Sequence, residues 1–438
     1  MKNSKYLFIV FFLLIGKVSF SQIVNFTDSS FKSLLLLANV DNPLALNLNG
    51  ERTVVDLNKD GEIQVAEAAQ ISTLSLDCGS GGPCNVTWPL TSLEGIKSFT
   101  NLKSLDCGYN RISDLNLSGM KSLININCQS NLSTSLNLDG CTNLKTLDCS
   151  YNQITSLNVN GCSNLVSMRC SNNRIGSLDV SGCSYLGSLN CSENQITSLN
   201  VSGLLYLNFL TANNNLISNL NIDVCPNLID LSLHYNNLST LNLTNLSVLQ
   251  NVSVYNNYKL NSLNLSGCIS LTNLNCSSTI LNTLHVSDCI NLNFLSCRDS
   301  QLTYINLKNG HTESGLDFQN NPNLHLICCD QTELGMVQYL VDAYSLHYTC
   351  QISTTNCPSL NIQNFDPDKA DIYPNPAHDY IRFNKCIKTV SVFSLDGKLI
   401  TTKLENNEVD LSHFSEGIYI VRITNENDII VMKKFIKN

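Results

Sequence analysis

From Leu102 to Leu292 the apolar residues recur at an interval longer than any helix or strand repeat. Leu102, Leu123, Leu144, Leu165, Leu186, Leu207, Leu228, Leu249, Leu271 and Leu292 open successive blocks of 21 residues, with one 22-residue step where Lys259 or a neighbour is inserted. The shared pattern is L-x-x-L-x-C-x-x-N-x-I-x-x-L-x-L-x-G-C-x-x. A degraded eleventh block runs through Leu316, Phe318 and Asn321, and an irregular early one through Ile71, Leu74 and Leu76. Apolar positions 4 and 6 alternate with polar positions 3, 5 and 7, which predicts a short strand with 4 and 6 facing inward. A fixed period makes each block one turn of a coil, with strands of successive turns stacked in parallel at about 4.8 Å. Positions 14 and 16 supply a second apolar ridge. A 21-residue turn has no room for a full helix, so the return side is expected to be extended and helix scarce.

Asn110, Asn152, Asn173, Asn194, Asn215, Asn236 and Asn257 form a column at position 9, where an amide can satisfy the backbone of the bend. Cysteines form two more columns. Cys107, Cys128, Cys149, Cys170, Cys191, Cys276 and Cys297 hold position 6, and Cys141, Cys162, Cys183, Cys225, Cys268 and Cys289 hold position 19. Other blocks place Ala212, Leu233, Val254, Met120, Leu204 and Leu246 there, so these thiols read as small core fillers. Side chains that point the same way from parallel neighbours suit a disulfide badly. Off the columns, Cys78 with Cys84 and Cys350 with Cys357 are candidate pairs, while Cys328, Cys329 and Cys386 stay unassigned. The block pattern over 71–330 resembles the leucine-rich repeat, which implies a mainly β solenoid of eleven to twelve turns.

The flanks divide the rest of the chain. Residues 1–21 read as a signal peptide, with Lys2 and Lys5 before an apolar run and Ser19 and Ser21 at the cleavage spacing. Residues 22–70 form an N-terminal cap in which Ser30–Ala38 is expected to be helical. Its segment Asp56-Leu57-Asn58-Lys59-Asp60-Gly61-Glu62-Ile63-Gln64-Val65-Ala66-Glu67 has the spacing of a twelve-residue calcium loop. Asp56, Asn58, Asp60 and Glu67 would offer side-chain oxygens, Glu62 its carbonyl, and Gln64 an oxygen directly or through water. No helix is expected before the loop, so one structural Ca2+ is favoured over a sensor. A similar capping element occurs in many secreted bacterial leucine-rich repeat proteins. Residues 331–357 form a C-terminal cap and 358–369 a linker.

Residues 370–438 have a different texture, with paired β segments that predict a small sandwich. Asp371-Ile372-Tyr373-Pro374-Asn375-Pro376, Leu395-Asp396-Gly397-Lys398, Gly417-Ile418-Tyr419 and Lys433-Lys434-Phe435 resemble, in that order, the type IX secretion C-terminal sorting domain of Bacteroidetes. That resemblance implies passage through the periplasm, contact with the type IX machinery, and release or display outside the outer membrane.

Charge narrows the function. Charged residues are 14% of the chain, against about 25% usually. The net charge of −9 leaves no basic stripe for nucleic acid. No H-E-x-x-H, Gly-x-Ser-x-Gly or P-loop pattern occurs, so no enzyme is expected. On the concave face the larger groups are Phe209, His234, Tyr235, Tyr255, Phe294 and Arg298. His234 and Tyr255 share position 7 of adjacent turns, with Arg298 two turns further along. Aromatics beside an Arg are common interface anchors. The expected function is non-catalytic recognition of a protein partner by a monomer, with glycan binding or a passive surface role as alternatives.

Overall fold

The computed structural model describes residues 22–438 apart from 80–88, 223, 347–348, 356, 358–371, 374–376, 384–386, 395–398, 402, 405–406 and 425–429. The proposed signal peptide, the linker, Cys84, Cys386, Pro374, Asn375 and Pro376 therefore lie outside the described residues. The chain divides into two compact units, Met1–Thr355 and Asn356–Asn438.

The first unit is a leucine-rich repeat solenoid. Three-residue strands at positions 3–5 stack in register, Ser104 on Asn125 on Thr146 and onward, into a 13-stranded sheet. All but its first strand, Ala45–Asn47, run parallel. That strand lies antiparallel on Ile71–Ser75 and covers the edge on which another chain could pair. On the return side Asp114–Asn116 and its counterparts form short parallel ladders, as the 21-residue turn requires. Positions 1, 4 and 6 are buried throughout, as in Leu102, Leu105 and Cys107 at 0% exposure.

Three side-chain columns close each turn. At position 9, Asn173 Nδ2 donates to the carbonyls of Cys149, Cys170 and Ser171, and its Oδ1 accepts from Ile154 N–H. One amide thus joins two turns. Asn131, absent from the column read in the sequence, has the same partners, and Thr279 and Ser300 replace the amide with hydroxyls. Binding the carbonyls on both sides drives position 8 into left-handed backbone, at φ +53° to +59° from Tyr109 to Asn320. For a non-glycine residue that costs about 1–2 kcal/mol, which the buried amide bonds offset. Position 5 makes a second column, where Asp148 Oδ1 accepts from Ser150 N–H. Position 15 makes a third, where Asn137 Oδ1 accepts from Asp139 N–H.

All thirteen column cysteines are buried thiols outside any disulfide. Burial pushes Cys128, Cys191 and Cys276 up to about 12. The expected Cys350–Cys357 pair is not formed, because Cys350 is a buried free thiol. Cys357 and Cys328 are instead disulfide-bonded, as is Cys78. Cys328 ends a strand paired through Ser353 to the last strand of the cap, whereas Cys350 packs into the core.

Helix α1 (Ser29–Leu36) caps the N-terminal end, burying Phe31, Leu34 and Leu35 beneath an Asp28 N-cap. Helix α2 (Val65–Ala68) follows the acidic loop, and helix α3 (Leu334–Ala343) covers the C-terminal end with Val337 and Val341. At that end Glu313 replaces the position-1 leucine. It is 1% exposed, and it meets Glu333, which is fully buried. Asn309 Nδ2 donates to Glu313 Oε1, and Asp330 N–H to Glu333 Oε2. The other two oxygens, Glu313 Oε2 and Glu333 Oε1, have no partner in the surrounding protein, which leaves the two carboxyls to each other. Burial first, and Glu313 second, raise Glu333 to about 8, so one proton sits between them near neutrality.

The second unit is a two-sheet β-sandwich. Its longest pairing runs between Gly417–Thr424 and Ile430–Lys437. Ile381, Val390, Val392, Val421 and Phe435 form its core.

Candidate functional site

The polar face of the concave sheet is a lattice of Ser, Thr and Asn side chains that bond across turns, such as Thr146 Oγ1 to Asn125 Oδ1. Of the six large residues picked out in the sequence, His234, Tyr235 and Tyr255 gather in one place and the other three stand apart. His234 and Tyr255 stack, with ring centroids 4.5 Å apart and planes 6° from parallel. Tyr235 meets both rings edge-on, at 5.8 Å and 5.5 Å. Its left-handed backbone, φ +54°, is the position-8 conformation imposed by Asn236. Ser232 Oγ lies 3.0 Å and Ser253 Oγ 3.4 Å from His234 Nδ1. Burial lowers the His234 pKa, so the ring is neutral at pH 7. The result is an uncharged aromatic nest with Tyr235 47% exposed at its rim.

Arg298 stands apart from the nest. It bonds Asp299 at 2.8 Å and lies 3.8 Å from Asp317, and Ser277 fills position 7 between it and Tyr255. Phe209 and Phe294 occupy position 3, four strand spacings apart, or about 19 Å. Both are exposed.

The acidic loop is held by its own backbone. Asp56 accepts from Lys59 and Gly61 N–H, Asp60 from Glu62 N–H, and Glu67 from Leu57, Asn58 and Gln64 N–H. Gly61 takes φ +79° at the sharp turn. No three acidic, His or Cys side chains gather as a metal-holding group among the described residues. The donor chemistry still suits a hard cation. Asp60 Oδ2 and Gln64 Oε1 converge on the Asn58 amide nitrogen at 3.0 Å each, so two oxygens already surround one positively polarised atom.

A feature missed in the sequence is a second aromatic pair. Tyr185 and Tyr206 both hold position 21 of adjacent turns, and their rings stack at 5.7 Å and 26°. They are 53% and 55% exposed. The repeat alignment already contained this signal, but position 21 lies outside the strand positions that were read.

In the sandwich, Gly417 and Tyr419 open the strand that pairs with Lys433 and Lys434. The Tyr419 hydroxyl donates to the Ser415 carbonyl, and its ring stacks on Phe435. The sorting motif is thus partly a packing motif.

Residues 371–438 match the family model of the secretion system C-terminal sorting domain. The chain is therefore a leucine-rich repeat solenoid with a C-terminal sorting module that marks it for export to the surface or the medium. No curated protein matches the chain in sequence. Among solved structures it is similar to the functional domain of InlJ from Listeria monocytogenes, described as including a cysteine ladder, at 20% identity, over 95% of this chain and 98% of that one, with a TM-score of 0.41. It is also similar to the internalin inlF of Listeria monocytogenes, at 19% identity over 72% and 93% of the two chains, with a TM-score of 0.42. No helix among the described residues is long and apolar enough to cross a membrane.

Proposed function

We propose that this is an exported, non-catalytic recognition protein that binds a protein partner through the concave sheet, centred on His234, Tyr235 and Tyr255. The observation that carries the reading is the nest itself. Three aromatic rings are held in fixed contact on a rigid, hydrogen-bonded sheet, with one tyrosine left exposed. Such preorganised aromatics lose little entropy on binding and serve as interface anchors. Arg298, braced by two aspartates, would set charge register at the rim. Phe209 and Phe294 would contribute outlying apolar contacts. Contact with the type IX secretion machinery belongs to the sorting module, whose deletion should stop export.

One structural Ca2+ in the 56–67 loop belongs to the same proposal. Asp56, Asn58, Asp60, Glu67 and the Glu62 carbonyl would hold it, with Gln64 in support. Its bound charge would stiffen the cap beside α2.

Photo-crosslinking tests the binding surface. Tyr235→benzoylphenylalanine in the full chain should trap a protease-sensitive adduct on intact cells or extracellular protein. The same label at Asn160, an exposed residue away from the concave strands, should not. His234→Ala/Tyr255→Ala should reduce the adduct at least tenfold, and equal labelling at both positions would refute the assignment.

A further inference from the structure

We propose that the Tyr185–Tyr206 pair is a second binding site, separate from the His234 nest, and that its ligand is a neutral oligosaccharide. Position 21 is a structural column in most other turns, with Val248 and Ser270 standing in it further along. Asn143, Asn164, Asn227 and Asn291 each donate from Nδ2 to a carbonyl of the preceding turn, at 2.7–2.9 Å. Asn101 does the same to Ala69. Tyr185 and Tyr206 interrupt this column in two consecutive turns, and a tyrosine ring has no N–H with which to make that short bond. Each replacement gives up a bond worth about 1 kcal/mol and leaves half of an aromatic ring in water. Single exposed aromatics are unremarkable. Val248 and Ser270 also replace the amide, but they put no ring into water; two stacked, half-exposed rings in register are what binding rather than stability accounts for.

The geometry defines what can bind. The rings belong to adjacent turns and stack on each other, and the column continues on either side with an asparagine neighbour. Beyond Tyr185 that neighbour is Asn164, and beyond Tyr206 it is Asn227. Each is a short side chain beside a tall ring, which makes a step with an aromatic wall and an amide floor. The Nδ2 of both amides is already bonded to backbone, so Oδ1 is the atom left to accept from a ligand hydroxyl. Gly187 adds no side chain beside Tyr206, whose carbonyl would lie 3.4 Å from a Cβ there. Val166 and Leu205, at 46% and 49% exposure, extend the apolar surface.

Charge selects the class of ligand. Between Asp179 and Asp223 the sole charged side chain is Glu193. The flanking stretches from Asn164 and from Asn227 add Arg169, Arg174 and Asp230, so charge around the pair is sparse and of mixed sign and selects neither an anionic polymer nor a strongly charged peptide. A pyranose ring presents C–H groups to an aromatic face and hydroxyls to an amide oxygen, which are the two chemistries each step provides.

The test is binding of the full chain to a printed array carrying neutral xylo-, manno-, cello- and maltohexaose beside acidic oligosaccharides. Retention of at least one neutral glycan is expected, unchanged between 0.05 and 0.5 M NaCl. Tyr185→Asn/Tyr206→Asn restores the residue commonest at this position, so it should melt no lower than wild type while binding at least tenfold more weakly. His234→Ala/Tyr255→Ala should leave glycan binding untouched, which separates this site from the concave nest. Binding of acidic glycans only, no neutral glycan bound by folded protein, or equal binding by the double asparagine variant would each overturn the proposal.

Discussion

Raising the pH should loosen the C-terminal cap through Glu333. Its carboxyl is buried against Glu313 and titrates near 8 in the folded chain, against 4.5 for an ordinary glutamate. Between those values the folded state holds a proton that the unfolded chain has released. Stability therefore falls as pH rises from about 4.5 to 8 and levels off above. At about 1.36 kcal/mol per unit the whole displacement corresponds to roughly 5 kcal/mol. Opening of the cap to water relieves part of this, so the expected loss between pH 5 and pH 9 is about 2–4 kcal/mol. A solenoid yields locally, so the loss should concentrate in α3 and the strand Gln351–Ser353. The assay is urea denaturation of the full chain from pH 5 to 9, with hydrogen exchange of residues 331–353 corrected for its intrinsic pH dependence. Glu333→Gln removes the proton while its carboxamide can still donate to Glu313. The other titrating groups are the same in both proteins, so the difference between the two pH curves isolates the pair. Parallel curves for wild type and Glu333→Gln would refute the shared-proton account.

Four further outcomes are expected. Asn173→Ala removes an amide with four backbone contacts and should destabilise the chain by about 2–4 kcal/mol; a loss under 0.5 kcal/mol by denaturant titration would contradict the role given to the column. Unfolded, unreduced protein should show at least ten reactive thiols, while the folded chain at pH 8 shows none of the position-6 thiols, because burial holds Cys128 and Cys191 near 12. Chelation should lower the melting temperature by several degrees in wild type but not in Glu67→Gln, and an unchanged melt would remove calcium from the cap. Deletion of 370–438 should leave the chain in the periplasm, as read by cell fractionation, and normal export would refute the sorting role.

His234 and Tyr255 could be placed side by side before any coordinates, because a 21-residue period turns a sequence interval into a spatial contact. The same arithmetic pairs Tyr185 with Tyr206, although only the stacked, exposed rings mark that pair as a surface. Arg298 shows the limit of the approach. Its row was legible, but its commitment to the adjacent Asp299 and to Asp317 in the next turn depends on side-chain rotamers, which a repeat alignment does not encode.

What the sequence determined by itself is whatever repeats: the coil, the short strands, the inward positions 4 and 6, and the thirteen buried thiols. Each follows from alternation and period, which are local properties of the chain summed over many turns. The tertiary structure alone decided what occurs once. The Glu313–Glu333 pair joins residues twenty apart where the repeat has already failed. Cys328 and Cys357 are disulfide-bonded, while Cys350 stays a thiol packed into the core. These contacts depend on how the final turn meets its cap, and no periodic pattern carries that information.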